Sequence, residues 1–382
     1  MPCAIGGDDG SLSGRHAAGK GFLIYICSMD NDVYVKEAVE LLSRLIAVPR
    51  VSRNEKDAAD MLEAFMRRCG MPVRRYANNI VSTCDDYDGS RPTVLLNAHI
   101  DTVRPAASWT RDPYMPCIED GRLYGIGSND CGGGLVSLLQ AYRIVASRPR
   151  SFNVIYAATA EEEVSGANGF SLVLPQLPPI AVAIVGEPTS LQPAVAEKGL
   201  MVIDATARGK AGHAARNEGI NAIYVALDDI NWLRSYRFPR VSELLGPVKM
   251  TVTVINAGTQ HNVVPDECRF VIDVRTNELY ANSEVFNIIQ RNVRSEVKAR
   301  SFRLNSSHIE MSHPLVRKML ARGLKPYGSP TLSDQALMPF PSVKLGPGAS
   351  SRSHSADEFI AISEIADAIS LYVELLSGSD CL

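Results

Sequence analysis

Between Val35 and Ile46, and again between Glu55 and Arg68, apolar residues return every three or four positions, as in Ala58, Met61, Leu62, Phe65 and Met66. That period places them on one stripe of a helix, so the chain is predicted to open with two amphipathic helices. The rhythm then changes. Thr93 to Ala98, Asn153 to Ala158 and Ala181 to Val185 are short apolar runs, each giving way to polar or Gly-rich sequence. Their length and Val/Ile content predict buried strands, and Gly132 to Ala146 between the first two reads as a crossover helix. The fold class is α/β, a central mixed sheet flanked by helices.

Beyond Glu197 the predicted order becomes strand (Leu200 to Ala207), helix (Ala222 to Tyr236), strand (Val248 to Asn256), strand (Arg269 to Arg275), helix (Ser283 to Val297) and strand (Ser301 to Asn305). This βαββαβ order is the split, ferredoxin-like unit. A helix after Pro314, the apolar run Ser342 to Leu345 and a last helix from Ala361 to Leu376 resume the earlier pattern. Residues 198–308 are therefore expected to be an inserted domain, and 29–197 with 309–382 a discontinuous first domain. A chain of 382 residues is long enough for two cores. Residues 1–28 are Gly-rich and patternless, and are expected to be a disordered or non-native extension, with Met29 as the physiological start. Phe22 to Ile26 is too short to span a bilayer, and the acidic pair Asp8 and Asp9 before it argues against a signal peptide.

A net charge of -3 with 46% hydrophobic and 21% charged residues supplies no basic stripe for nucleic acid or anionic lipid. Eight cysteines are scattered without a CxxC pair, which suits free thiols and a cytoplasmic location.

In open α/β sheets ligands collect beyond the carboxyl ends of strands. The first strand here runs into His99-Ile-Asp101, the second into Glu161-Glu162-Glu163, and the third into Gly186-Glu187. Gly125-Ile-Gly-Ser-Asn-Asp130 ends just ahead of the glycines that start the crossover helix, and Gly346-Pro-Gly348 leads on to Ser353-His354. Like charges that end apolar strands must be neutralised to coexist. With neutral histidines, Asp130, Glu163 and Glu187 carry three negative charges, and a bridging hydroxide makes four against two divalent ions. The mixed imidazole and carboxylate set favours zinc, with cobalt or manganese as alternatives. Asp101 is placed to accept the proton of the non-ligating nitrogen of His99, or else to cap a turn. Cys131 is a soft ligand or a packed thiol.

The ordered segments NAHIDTV, GIGSNDCGGG, ATAEEEVSG, VGEPTS, GKAGHAA, HNVVPDE and GPGASSRSH resemble the M20 metallopeptidase family, in particular its acetylornithine deacetylase and succinyl-diaminopimelate desuccinylase group, from about Val35 to the C-terminus. The resemblance implies that Asp130 bridges two metals, with His99 and Glu187 completing one site and Glu163 and His354 the other. Glu162 matches the general base, and Glu161 is the alternative in that acidic run. Cys131 stands where relatives commonly carry an apolar residue. The inserted domain resembles a dimerisation lid. In it His213 matches a histidine that reaches the partner subunit's active site, while Asn262 and Arg275 match substrate contacts. Read without the family, His213 is a turn histidine and Arg275 a surface ion pair.

The expected activity is hydrolysis of an N-acyl amino acid, N-acetylornithine or an N-acetyl or N-succinyl citrulline or ornithine, in arginine biosynthesis. Desuccinylation of diaminopimelate and dipeptide cleavage are the alternatives within the family. A catalytically silent metal-containing binding protein is the alternative outside it. The expected assembly is a homodimer through the lid.

Overall fold

A computed structural model describes residues 18–216 and 218–378. Of the segment expected to lie outside the fold, residues 1–17 are not among the described residues, while 18–28 belong to helix α1 (Ala18–Ile46), which runs through Met29. Helix α2 (Lys56–Arg68) follows, burying Ala58, Ala59, Leu62, Phe65 and Met66 on the stripe that the sequence marks.

The main sheet has nine strands. Its first half contains β1 (Arg74–Tyr76), β2 (Asn79–Thr83), β3 (Thr93–His99), β4 (Asn153–Thr159) and β5 (Val182–Val185). After β6 (Ala194–Glu197) the chain leaves for the second domain, then returns through β11 (Ser307–His308), β12 (Tyr327–Ser329) and β13 (Ser342–Lys344). The spatial order is β1-β2-β4-β3-β5-β13-β6-β11, with β12 also paired to β6. The central four, β4, β3, β5 and β13, are mutually parallel, and β2 joins them antiparallel. Every residue of β3 and β4 is buried, which is why their sequences read as continuous apolar runs. Val94, Leu96 and Ala98 enter a core against α1, α3 (Gly133–Ala146) and α7 (Ile362–Leu375), while Leu95 enters a second core with Ile155, Phe170 and Val185.

The close fit of α3 to the sheet explains part of the glycine run. A Cβ on Gly134 would lie 1.6 Å from the Gly186 carbonyl oxygen, so the N-terminus of α3 approaches the end of β5 as no larger residue would allow. Helix α6 (Pro314–Ala321) packs beside α7.

The second domain is a four-stranded antiparallel sheet in the order β8-β9-β7-β10, built from β7 (Gly199–Arg208), β8 (Lys249–Ala257), β9 (Glu267–Thr276) and β10 (Glu296–Ala299). Alternate residues of β7 and β9, including Met201, Ile203, Phe270, Ile272 and Val274, pack under α4 (Ala222–Ser235) and α5 (Asn282–Asn292). The connectivity is the expected split unit, but its end differs from the sequence reading. Helix α5 stops at Asn292 rather than Val297, and the last strand is Glu296–Ala299 rather than Ser301 to Asn305. The buried carboxylate of Asp229 on α4 takes the backbone N–H groups of Arg294 and Ser295 at 2.9 and 2.8 Å, drawing the chain off the helix. Val297 and Ala299 then follow a strand period beside β7, not a helical one.

Candidate metal centre

Five side chains meet at the carboxyl ends of the parallel strands. His99 closes β3 and is 2% exposed. Its Nε2 lies 3.2 Å from Asp130 Oδ1 and 3.5 Å from Glu187 Oε1. On the other side, His354 Nε2 lies 3.5 Å from Asp130 Oδ2 and 2.9 Å from Glu163 Oε2. Asp130 therefore presents one oxygen to each histidine, and each histidine has its own glutamate. This is the division into two pairs around a shared aspartate that the family resemblance implies for the two metals.

The ligand atoms of His99, Asp130 and Glu163 all lie within 4.8 Å of one another, as do those of His99, Cys131 and Glu187. Burial, together with the charges of Asp130 and Glu163, pushes Glu187 up to about 8, and the hydrogen bond that its ring donates to Glu163 lifts His354 to about 9. Such a cluster holds protons tightly until a cation replaces them. Two imidazoles and three carboxylates are donors that suit two divalent ions, so the residues fit the metals that the pattern implies.

Backbone clamps hold this arrangement. The Asp101 carboxylate accepts the Ser52 hydroxyl at 2.6 Å and the backbone N–H groups of Glu162 and Glu163 at 3.1 and 3.2 Å. It thus fixes the acidic turn beyond β4. The hydrogen bond from His99 Nδ1 goes to the backbone carbonyl of Asp101 at 2.9 Å, whereas the carboxylate stands 3.6 Å away. Asp101 thus meets the His99 ring chiefly through its main-chain carbonyl rather than through the carboxylate that was expected to do so. Glu358 performs the matching task for Asp130, accepting N–H groups from Gly127, Asn129 and Asp130 at 2.8 to 2.9 Å.

The three glutamates of the acidic run point to different fates. The Glu161 carboxylate turns to Asn168, accepting its side-chain amide at 2.9 Å and its backbone N–H at 3.3 Å. Glu163 joins His354. Glu162 lines a cavity of about 400 Å3 beside the cluster, and its carboxylate takes no hydrogen bond among the described residues. Burial, reinforced by Glu187, Asp334 and Glu163, raises it well above the ordinary carboxylate range. Cys131 is packed: it receives the His99 N–H at 3.3 Å, and burial pushes its thiol up to about 12.

Sequence reading missed four buried charged groups around the cluster. Glu358 closes the His354-Ser-Ala-Asp-Glu segment, and an acid four residues beyond a ligand was its only signal. Lys344 ends β13 and is 2% exposed, with Nζ 3.0 Å from Glu197 Oε2, a fully buried acid at the end of β6. A lysine inside the apolar run Ser342 to Leu345 was the visible anomaly. Asp334 accepts the Thr159 hydroxyl at 2.6 Å beneath the end of β4, and burial raises it to about 6.

The lid residues are not brought to this cluster. Gly212–His213 and Val263–Val264 form a two-stranded ribbon, and the Ala214 N–H donates to the Asn262 carbonyl at 3.0 Å. His213 is exposed, its Nδ1 accepting the Ala215 N–H at 3.1 Å as a turn histidine does. Arg275 makes a two-pronged pair with Asp273 at 2.9 and 3.0 Å.

Known proteins resemble this chain in sequence and in fold. Acetylornithine deacetylase of Proteus mirabilis is 28% identical over 380 residues, covering 89% of this chain and 96% of that protein. Succinyl-diaminopimelate desuccinylase of Cereibacter sphaeroides is 28% identical over 272 residues, 67% of this chain and 72% of that one. Among solved structures, aminopeptidase PepT of Bacillus cereus superposes with a TM-score of 0.71 at 19% identity, covering 90% of this chain and 98% of that one. The Bacillus subtilis YXEP protein, described as a dinuclear metal binding peptidase, gives 0.69 at 16% identity, with coverage of 90% and 98%. These structures share the α/β fold with its separate small antiparallel sheet. The profile of Peptidase family M20/M25/M40 matches residues 95–378, a span that holds all five clustered side chains, and the chain belongs to that family.

Proposed function

We propose that this metallohydrolase cleaves the amide bond of an N-acyl amino acid, N-acetylornithine or an N-acetyl or N-succinyl relative such as the citrulline derivatives, in arginine biosynthesis. The observation that carries the reading is Asp130 between two histidine–glutamate pairs, with Glu162 beside them and out of the hydrogen-bonded cluster. His99 with Glu187 and Glu163 with His354 would hold two divalent ions, zinc by preference and cobalt or manganese otherwise, with Asp130 shared. Bound there, the metals supply Lewis acidity toward the amide carbonyl and acidity to water.

The chain's own residues account for the proton transfers. Glu162 takes one proton from water as the water oxygen bonds to the carbonyl carbon. The carbon–nitrogen bond then breaks and the Glu162 carboxyl gives its proton to the leaving amine. A carboxylate with a raised pKa suits both steps, and the backbone clamp from Asp101 to Glu162 keeps it in place. His213 would donate to the developing oxyanion once the lid closes, and Asn262 and Arg275 would hold the amino-acid half, Arg275 after leaving Asp273.

A homodimer through the second domain belongs to this reading. Among the described residues strand β8 is an edge strand, paired only with β9, and Val254 and Ile255 on it are about half exposed. Tyr224 and Leu227 on the adjoining α4 are also exposed. An unpaired edge with apolar side chains suits a second copy of the same surface. No helix among the described residues is long and apolar enough to cross a membrane. Cys69, Cys84, Cys117, Cys131 and Cys268 are free thiols, as a cytoplasmic enzyme would have.

The test is turnover by the zinc-loaded protein of N-acetylornithine, N-acetylcitrulline, N-succinylcitrulline, N-succinyl-diaminopimelate and simple dipeptides. An N-acyl ornithine or citrulline should be the best substrate. Preference for the diaminopimelate derivative or for dipeptides would overturn the substrate, and absence of any turnover would overturn the reaction.

A further inference from the structure

The cavity beside the cluster is lined by the acids Asp130, Glu162, Glu163 and Glu187 and also by Tyr327, Ser329, Thr331 and Lys344. Against the effect of burial, Lys344 is held above the ordinary lysine range by Glu197, its fully buried partner, and further by Glu187 and Glu162. Among the cavity-lining residues, Lys344 is the one lysine or arginine.

Lys344 is tightly placed. Its Nζ donates to Glu197 Oε2 at 3.0 Å, to Thr331 Oγ1 at 3.2 Å and to the Thr331 carbonyl at 3.3 Å. These three bonds use its three protons, so its effect on a ligand passes through charge and through Thr331. A hydroxyl that accepts from an ammonium is a better donor, because hydrogen bonds in a chain polarise one another. Thr331 is exposed at the wall, and its Oγ1 lies 2.9 Å from Ser329 Oγ, which gives that wall adjoining hydroxyls behind which a cation sits. Such a surface favours an anionic acceptor. A cationic group would meet the ammonium, and an apolar one would leave the hydroxyls unpaired.

We propose that the cavity wall formed by Thr331 and Lys344 is a subsite for a carboxylate of the substrate, with Thr331 as donor and Lys344 as the charge behind it. The inference rests on the deacylase reading, because it assigns a further part of the same cavity, and the divalent ions of that reading neutralise the neighbouring acids. The carboxylate belongs either to a dicarboxylic acyl group such as succinyl or to the amino-acid half, whose expected partner Arg275 is engaged by Asp273. A lysine–glutamate pair that merely ties β13 to β6 would affect every substrate alike.

The experiment compares three compounds on the zinc-loaded protein: N-succinylornithine, N-acetylornithine, and the α-carboxamide of N-acetylornithine. Turnover and calorimetric binding are measured for the wild type, Lys344→Met and Thr331→Val. Removing the carboxylate that occupies the subsite should cost the wild type about 10- to 100-fold in kcat/KM, the range of a charge-assisted hydrogen bond. Lys344→Met should abolish that discrimination, and Thr331→Val should reduce it. Whichever compound shows the effect identifies the carboxylate. Since Lys344→Met leaves Glu197 buried without its partner, the double variant Lys344→Met with Glu197→Gln is the companion, and it must show the same loss of discrimination. Equal effects on all three compounds, or unchanged ratios in both variants, would overturn the subsite. If the wild type turns over none of them the deacylase reading fails, and the ratios of dissociation constants alone then decide the subsite.

Discussion

His99 and His213 each end a strand, yet their surroundings differ. His99 is buried, with Nδ1 on the Asp101 carbonyl two residues along and Nε2 against Asp130, which reaches it from a separate segment of the chain. His213 is exposed on a short ribbon, and among the described residues its ring is held only by an N–H two residues along. The first region is organised within one chain before any substrate arrives. The second has side chains of the right kind and nothing around them to act upon. Under the proposed function, a part for the lid in catalysis would require a rearrangement or a second subunit, whereas the metal end would require only its ions.

Replacing Asp130 by Ala should produce the largest effect. It removes the one side chain that faces both histidines, so metal analysis should show at least one equivalent lost, with turnover below detection. A variant that keeps two equivalents and near-normal turnover would break the contrast at its stronger end. Glu162→Gln comes next. Metal content should stay normal while kcat falls about 10²- to 10⁴-fold, the usual share of a general base. Unchanged kcat would refute the role, and a metal-depleted variant would place Glu162 among the ligands.

His213→Ala sharpens the other end. Loss of one oxyanion donor should lower kcat about 10²- to 10³-fold with metal content intact. Mixing it with Glu162→Gln distinguishes the source of the histidine. If His213 serves the partner's site, hybrid dimers hold one site with both residues intact, and activity rises above that of either variant alone. Additive residual rates would show that His213 acts within its own chain. Light scattering on the same samples should report a dimer.

The same contrast explains what the sequence made legible. The parallel strands were readable because both their faces are buried, and His99, Glu163 and Glu187 were readable because they end or closely follow such a strand. Asp130 needed the glycines that follow it, whose purpose, the close approach of Gly134 to Gly186, is visible only in three dimensions. Glu358 and Lys344 were missed because what they serve lies far along the chain: Gly127 to Asp130 for one, Glu197 and Thr331 for the other. The end of the lid was misplaced because Asp229, distant in sequence, ends α5 before its apolar pattern does. His213, Asn262 and Arg275 carry no local signal of function, and resemblance alone singled them out.

Glu358→Gln should have a moderate effect. Two of the three backbone N–H groups still find an oxygen, while that of Gly127 faces an amide instead. Metal affinity should fall about 10- to 100-fold, as for other groups that orient ligands, and excess zinc should restore kcat. Failure of excess metal to restore it would show that Glu358 does more than hold the Asp130 loop.

The smallest effect is on stability, and its sign follows from the protons that the metal-free cluster retains. Glu187 is raised from the ordinary 4.5 to about 8, mainly by burial, and His354 from 6.5 to about 9, mainly by Glu163. In both cases the folded state binds a proton that the unfolded chain has already released, so unfolding free energy falls as pH rises through that window. His354 is half exposed, and solvent screening makes its share the lesser one. The chelated protein should therefore lose melting temperature between about pH 5 and about pH 9. Zinc should flatten the slope, because bound metal takes the place of those protons and stabilises the deprotonated ligands. Scanning calorimetry with and without chelator measures both slopes. A chelated protein whose melting temperature rises over that interval, or a zinc-loaded one that falls as steeply, would show that the cluster does not govern this part of the stability profile.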